Sequence, residues 1–232
     1  MASPAPRYDF ATLRYDLAEE EFAEPIGPLT PAEFDALVAG SGRAHEYVDG
    51  FAYAMAPVRR GHNRITLNVA ARLLALTRGG PCETYVDGFQ VRPPDGRVWC
   101  PDAMVACGPV PPDDQLHIAD PCVIVEVLSR GTARVDHGQK RESYQRIPSL
   151  GAYLIVETAW RAVHRHWRGS DGAWRTELAT GADAAVALPC PAGGVLTLAE
   201  IYEGTRPPDE PPFRASLRRV RENEPAEAYA AG

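Results

Sequence analysis

Residues Pro121 to Leu128 read PCVIVEVL, an apolar run with one carboxylate, Glu126, close to its end. A continuous run of this kind, without strict alternation, suits a strand buried on both faces in the middle of a sheet. Gly151 to Glu157, GAYLIVE, is a second such run, and the stretch from Asp136 has helical character until Pro148 stops it. Strand, helix and strand in that order predict a parallel crossover and an α/β fold. A carboxylate inside a central strand is costly unless it is paired, so Glu126 requires partners and is poorly explained by packing alone.

Candidate partners lie on either side. Ala103 to Cys107 is another apolar strand-like run with Asp102 at its edge, directly after Pro101. The proline is expected at a bulge or edge, where it removes a ladder hydrogen bond and bends the strand, turning the Asp102 carboxylate toward a cleft. Downstream, Asp136 is expected as the N-cap of a helix that places Lys140 and Tyr144 on one face, at i and i+4. Lys140 is the only lysine, and every other residue among the 24 basic ones is arginine. A retained lysine suggests a compact ammonium that can hold a water or trade a proton, which guanidinium cannot. Two carboxylates ~4 Å apart repel by roughly 4 kcal/mol at an effective dielectric of 20, so such a pair wants a shared proton or a divalent cation. Oxygen-only ligands favour magnesium or manganese. Asp102, Glu126 and Lys140 thus form a constellation suited to metal-assisted phosphodiester hydrolysis.

Around this centre the chain reads as one domain over residues 28–205, between a leader of residues 1–27 and a Pro- and Arg-rich tail of residues 206–232. Thr30-Pro31-Ala32-Glu33 matches a capping box and starts a short helix to Ala39, ended by Gly40. Ala44 to Val48 and Phe51 to Met55 flank Asp49-Gly50, the signal of a tight hairpin. Its Glu46 is either a further acidic ligand or an exposed hairpin residue. Gly61 to Arg78 is an amphipathic helix with His62 in its first turn, where unpaired N–H groups favour an anion such as phosphate; the ring serves either the chemistry or a cap. Residues 83–92 and 97–107 pattern as strands, 108–120 as a loop, and 159–168 with 172–179 as a hairpin. Within it His164 and His166 share a face that, between Arg165 and Arg168 and with no nearby acid, reads as exposed. Leu196 to Tyr202 is expected to close the sheet with a strand end and a helical turn.

A net charge of -7 argues against coating nucleic acid through bulk electrostatics, but basic residues cluster locally. Arg130, Arg134, His137, Lys140, Arg141 and Arg146 form one group, and Arg59, Arg60, His62 and Arg64 another. Five cysteines, an odd count without a C-x-x-C pair, read as small hydrophobes in a reduced cytoplasmic protein rather than as a zinc site. No apolar run approaches the roughly 20 residues that span a bilayer, so no membrane role is expected.

The pattern PD, then E-V-L-S, then T-x-x-x-D-x-x-x-K-x-x-x-Y and G-A-Y-L-I-V resembles the Uma2 family, a branch of the PD-(D/E)XK nuclease superfamily. Upstream H-E-Y-V-D-G and Arg60-Gly61-His62, and the closing L-A-E-I-Y, extend the resemblance over residues 28–204. It implies a restriction-endonuclease-like mixed β-sheet flanked by helices, with an added β-hairpin. It also implies Mg2+- or Mn2+-dependent endonuclease cleavage of nucleic acid, with Asp102 and Glu126 as metal ligands joined by the Val127 carbonyl, Lys140 as the catalytic lysine, and Glu46 and His62 as further site residues. The superfamily's usual lysine lies two residues after the acid. Here that position is Leu128, so Lys140 must reach in from the following helix, a displacement that Uma2-like proteins share. DNA is the expected nucleic acid, and a homodimer would suit cleavage of two strands. The alternative is a noncatalytic module that keeps the fold and binds nucleic acid or protein.

Overall fold

The computed structural model describes residues 24–129 and 133–211. Expectations for residues 1–23, for Arg130 and for the tail from residue 212 lie outside the described residues. The elements in chain order are α1 (Pro31–Ser41), β1 (His45–Val48), β2 (Phe51–Ala54), α2 (Arg60–Thr77), β3 (Cys82–Val86), β4 (Gln90–Val91), β5 (Ala103–Cys107), β6 (His117–Ile118) and β7 (Pro121–Val127). A helical run over 133–144, α3, then passes from Ala133–Val135 through a π-helical turn, Asp136–Lys140, to Arg141–Tyr144. After it come β8 (Ala152–Val156), β9 (Ala162–Arg168), β10 (Trp174–Thr180), β11 (Ala185–Ala187), β12 (Val195–Thr197) and α4 (Leu198–Ile201).

Six strands form a mixed sheet in the order β10-β9-β8-β7-β5-β3, parallel only between β7 and β8. The apolar run around Glu126 is therefore central, and its connection to β8 is the crossover that the sequence predicts. Period-2 alternation sorts the side chains onto two faces. Val123, Val125 and Val127 of β7, with Val105, Leu154 and Val156, pack under Ile65, Val69 and Leu73 of α2 and Leu198 and Ile201 of α4. Ile124, Met104, Tyr153 and Ile155 face Tyr144, Ile147 and Leu150 on the opposite side, in and after α3. Glu126 has the parity of Ile124, so the central strand delivers its carboxylate under α3.

The β1–β2 hairpin docks separately. Asp49 and Gly50 take φ of 51° and 91° at its turn, the left-handed geometry that Asp-Gly accommodates. Phe34, Tyr47, Ala52 and Val98 form its own apolar cluster. Tyr47 and Val98 exchange backbone hydrogen bonds of 2.8 and 2.9 Å, which fix β1 against the segment that leads into Pro101.

Several local expectations shift. α1 runs to Ser41 and ends at Gly42, whose φ of 62° makes the left-handed cap. The strand expected over 83–92 breaks at Asp87-Gly88, and that over 97–107 reduces to bridges at Val98 and Trp99 before β5 begins at Ala103. Pro101 makes no bulge; the register shift lies between Val105 and Ala106. β12 pairs with β11 in a small sheet of its own instead of closing the large one. Asp136 is not an N-cap, because the helix has already started at Ala133 and the residue is buried within it.

Candidate functional site

Segments distant in sequence meet at the C-terminal end of β7. Ala103 pairs with Val125, and continuing that register by two residues sets Pro101 opposite Val127. Proline has no N–H to offer the Val127 carbonyl, and the ladder stops there. The Val127 N–H donates instead to Asp102 Oδ2 at 2.7 Å. The Pro-Asp pair thus fixes one carboxylate and leaves the Val127 carbonyl without a strand donor from β5. Asp102 Oδ1 lies 3.4 Å from His62 Nε2 in the first turn of α2. Burial opposes a charge on His62, but Asp102, the Val127 backbone and Asp136 outweigh it and raise its pKa above the ordinary histidine value. The start of α2 therefore presents an imidazole to a carboxylate.

Lys140 gathers the other carboxylates. Its Nζ lies 2.9 Å from Glu46 Oε1, 3.0 Å from Glu126 Oε1 and 3.4 Å from Asp136 Oδ1, and its side chain is 5% exposed. The ammonium also sits 5.5 Å from the centre of the Trp99 ring. Tyr144, one turn beyond Lys140, donates to the same Glu126 Oε1 at 2.8 Å. The expected i, i+4 face of α3 is therefore real, and the π-helical turn brings Asp136 onto it as well. Trp99 Nε1–H donates to Ser143 Oγ at 2.9 Å, holding the ring under α3. Glu46 also accepts the Cys100 N–H at 3.2 Å, so the hairpin residue is drawn into the site and is not exposed.

Burial raises the Glu126 pKa well above the carboxylate range; Lys140 opposes this, while Asp136, Asp102 and Glu46 add to it. Burial also disfavours the Lys140 ammonium, but Glu126, Glu46 and Asp136 together raise its pKa well above the usual lysine value. These directions are compatible, because Lys140 faces three carboxylates and keeps its proton even when one of them is neutral. Counted together, Glu46, Asp102, Glu126 and Asp136 set four carboxyl groups around the Lys140 ammonium and the His62 imidazole. Glu126 Oε1 receives both hydrogen bonds, so Oε2 is left to another partner. Asp102, Glu126 and the Val127 carbonyl are the groups that could offer an oxygen-only donor set, the chemistry that suits Mg2+ or Mn2+.

All six residues singled out in the sequence, Glu46, His62, Asp102, Glu126, Val127 and Lys140, are brought to this one region. The expectation for His164 and His166 is corrected: they are 1% and 3% exposed. α3 covers their face of β9, with His137 edge-on to His164 at 4.7 Å and Tyr153 stacked on His166 at 5.9 Å. An acid is also present, since Glu157 Oε1 lies 3.0 Å from His164 Nε2. His137, Glu157 and His164 offer ligand atoms within 4.8 Å of one another beside the main site. Burial first, then nearby positive charge, lowers the His137 pKa to about 4 and the His166 pKa to about 3. The available signal was β8 itself, apolar on both faces and hence flanked by a strand that must also be covered.

The Uma2 family model, described as "Putative restriction endonuclease", matches residues 31–199. The chain belongs to the Uma2 family. Two uncharacterized relatives from Synechocystis sp., slr1290 and sll1609, are each 30% identical, over 65% and 63% of this chain and 80% and 84% of their own lengths. Among solved structures, that of a putative nuclease belonging to DUF820 from Anabaena variabilis superposes with a TM-score of 0.61 at 15% identity. That superposition covers 75% of this chain and 98% of the other, and it shows that the Uma2 chain shares the fold of that protein. Among the described residues, no helix is long and apolar enough to cross a membrane.

Proposed function

We propose that this Uma2 chain is a Mg2+-dependent endonuclease, with Mn2+ as an alternative ion, that hydrolyses phosphodiester bonds of nucleic acid. The observation that carries the reading is the buried Lys140 ammonium among Glu46, Glu126 and Asp136, beside an Asp102 carboxylate fixed on the Val127 N–H. Asp102, Glu126 and the Val127 carbonyl would hold the ion. Once bound, it would polarise a phosphoryl oxygen and lower the pKa of an attacking water. Lys140 positions that water and offsets charge that develops on the phosphoryl oxygens, in a low-dielectric setting where such stabilisation is strong. Glu46, Asp136 and Tyr144 set the lysine and Glu126 in place, and His62 holds Asp102 from the other side. The exposed Arg59 and Arg60 at the start of α2, next to His62, and Arg134 on α3 suit phosphate contacts despite the net charge, whereas Arg64 turns its guanidinium to the Glu203 carbonyl.

Duplex DNA is the proposed substrate, a homodimer the arrangement that brings two sites to two strands, and the cytoplasm the compartment. The test is cleavage of plasmid and oligonucleotide substrates with Mg2+, with Mn2+ and with chelator, alongside Asp102→Asn and Lys140→Ala. Cleavage that needs metal and disappears in both folded variants supports the reading. Metal-dependent cleavage retained in both would sink it, and tight metal-independent binding without cleavage would favour a noncatalytic module.

A further inference from the structure

Four of the five cysteines, spread over separate segments, converge at the end of the sheet opposite Asp102 and Glu126. Cys82 opens β3 and lies directly across from Cys107, the last residue of β5. Cys122 is the second residue of β7, beside the point where Ala106 pairs with Pro121. Cys190 arrives on the loop before β12. That loop can close on the sheet because Gly151 lacks a side chain: a Cβ there would come within 2.8 Å of Pro189 Cγ. Gly151 N–H also donates to the Cys122 carbonyl at 2.9 Å, which fixes the floor under the loop.

The structure holds these residues as two disulfides, Cys82–Cys107 and Cys122–Cys190, which corrects the reading of all five cysteines as reduced small hydrophobes. The two bridges touch, with Cys107 Sγ 3.5 Å from Cys122 Sγ. The Sγ atoms of Cys107, Cys122 and Cys190 all lie within 4.8 Å of one another. Two independent staples have no need to be in contact. Four sulfurs around one ion do: a tetrahedron with Zn–S of ~2.3 Å has edges of about 3.8 Å, close to the separation already present between the two bridges. Reduction of each disulfide by a phosphine or a dithiol, two electrons and two protons per bond, returns four thiols anchored on three adjacent strands and one loop, and their protons pass to solvent when an ion binds. Cys107, Cys122 and Cys190 already cluster, and Cys82, across from Cys107 on the next strand, must swing its thiol in to complete the set.

We propose that the reduced chain binds one zinc(II) ion through Cys82, Cys107, Cys122 and Cys190. Thiolate ligands select a soft or borderline ion, and a set of four without an open position makes the centre structural. From Cys122 to Glu126 along β7 the distance is about 13 Å at ~3.3 Å per residue, so this centre is separate from the oxygen-donor site and ties down the far end of the same strands. Cys100 takes no part. It is buried on the segment before β5, with its thiol against the His45 carbonyl at 3.5 Å.

The test uses the full chain, reduced with a phosphine and stripped with chelator, titrated with Co2+ and followed by absorption, then challenged with Zn2+. Thiolate-to-cobalt charge transfer with tetrahedral ligand-field bands is a signature that carboxylates cannot give, so the readout is independent of the proposed nuclease site. One equivalent of Co2+ with that signature, displaced by Zn2+, is expected for the wild type and for Cys100→Ser. In Cys107→Ser and Cys190→Ser the affinity should fall at least about tenfold, the scale already reached by disturbing outer-shell partners of a metal site. Should a variant fail to fold, zinc protection of four wild-type thiols against alkylation, counted by mass spectrometry, decides the matter. A folded wild-type protein that shows no thiolate signature, or whose disulfides resist reduction without denaturant, overturns the proposal.

Discussion

Replacing Lys140 by Met keeps the hydrocarbon stem against Trp99 and removes only the charge, so Lys140→Met isolates the electrostatic role of the ammonium. At an effective dielectric of 20, each contact near 3 Å is worth roughly 5 kcal/mol before desolvation. Two such contacts, to Glu46 and Glu126, and a longer one to Asp136 are lost together. Burying the ammonium itself costs several kcal/mol, so the net destabilisation at pH 8 should fall near the ~3–5 kcal/mol typical of a broken buried pair.

The pH dependence gives the sharper test. Burial already raises the folded-state pKa of Glu126, and loss of Lys140 raises it further. Between the unfolded carboxylate pKa and that raised value the native state binds the extra proton, so stability falls as pH rises, by up to about 1.4 kcal/mol per unit. Compared at about pH 8 and about pH 6, the variant should lose more stability with rising pH than the wild type, whose Glu126 shares the slope only up to its own raised pKa. Mg2+ at millimolar concentration should stabilise it more than the wild type, since the carboxylates then lack their internal cation. Urea unfolding followed by tryptophan fluorescence at both pH values, with and without Mg2+, measures all three effects. A deficit below about 1 kcal/mol that is the same at both pH values would refute the reasoning, because that is the scale of an exposed ion pair.

Three further expectations rest on single residues. His166 has its pKa lowered to about 3, so stability from its neutral form is present above the unfolded value near 6.5 and is lost as pH falls; His166→Gln should remove about 1.4 kcal/mol per pH unit from the acid slope below pH 6.5, read by urea unfolding against the wild type. The Tyr202 hydroxyl accepts the Ala162 N–H at 3.1 Å and lies 2.7 Å from the carbonyls of Glu157 and Ala162, so Tyr202→Phe should cost about 1–2 kcal/mol of unfolding free energy. Gly151→Ala meets Pro189, and the overpacking should cost ~1–3 kcal/mol, seen as a lower thermal midpoint.

What the sequence disclosed depended on whether the governing physics was local. The run PCVIVEVL suited a central strand, since its length and lack of alternation are properties of the segment itself, and the Asp49-Gly50 hairpin and the Thr30–Glu33 capping box are equally local. The cost of burying Glu126 required a partner without naming one. A single lysine in the chain made that partner identifiable, and the structure places it 3.0 Å away. Where several local readings were open, tertiary contacts chose between them. Asp136 is a good N-cap by type, yet pairing with Lys140 inside a π-helical turn holds it in the helix. His164 and His166 stand between arginines that suggest an exposed face, but α3 covers it. The cysteines show the limit most clearly. Metal motifs are recognised by short spacing, whereas Cys82 and Cys107 are 25 residues apart and Cys122 and Cys190 are 68 apart. Their proximity follows from strand order and from the absence of a side chain at Gly151, which no window along the chain contains. A ligand set drawn from neighbouring strands is invisible to spacing rules and becomes legible only when the sheet order is known, and the same holds for Glu46, whose hairpin had to dock before its carboxylate could meet Lys140.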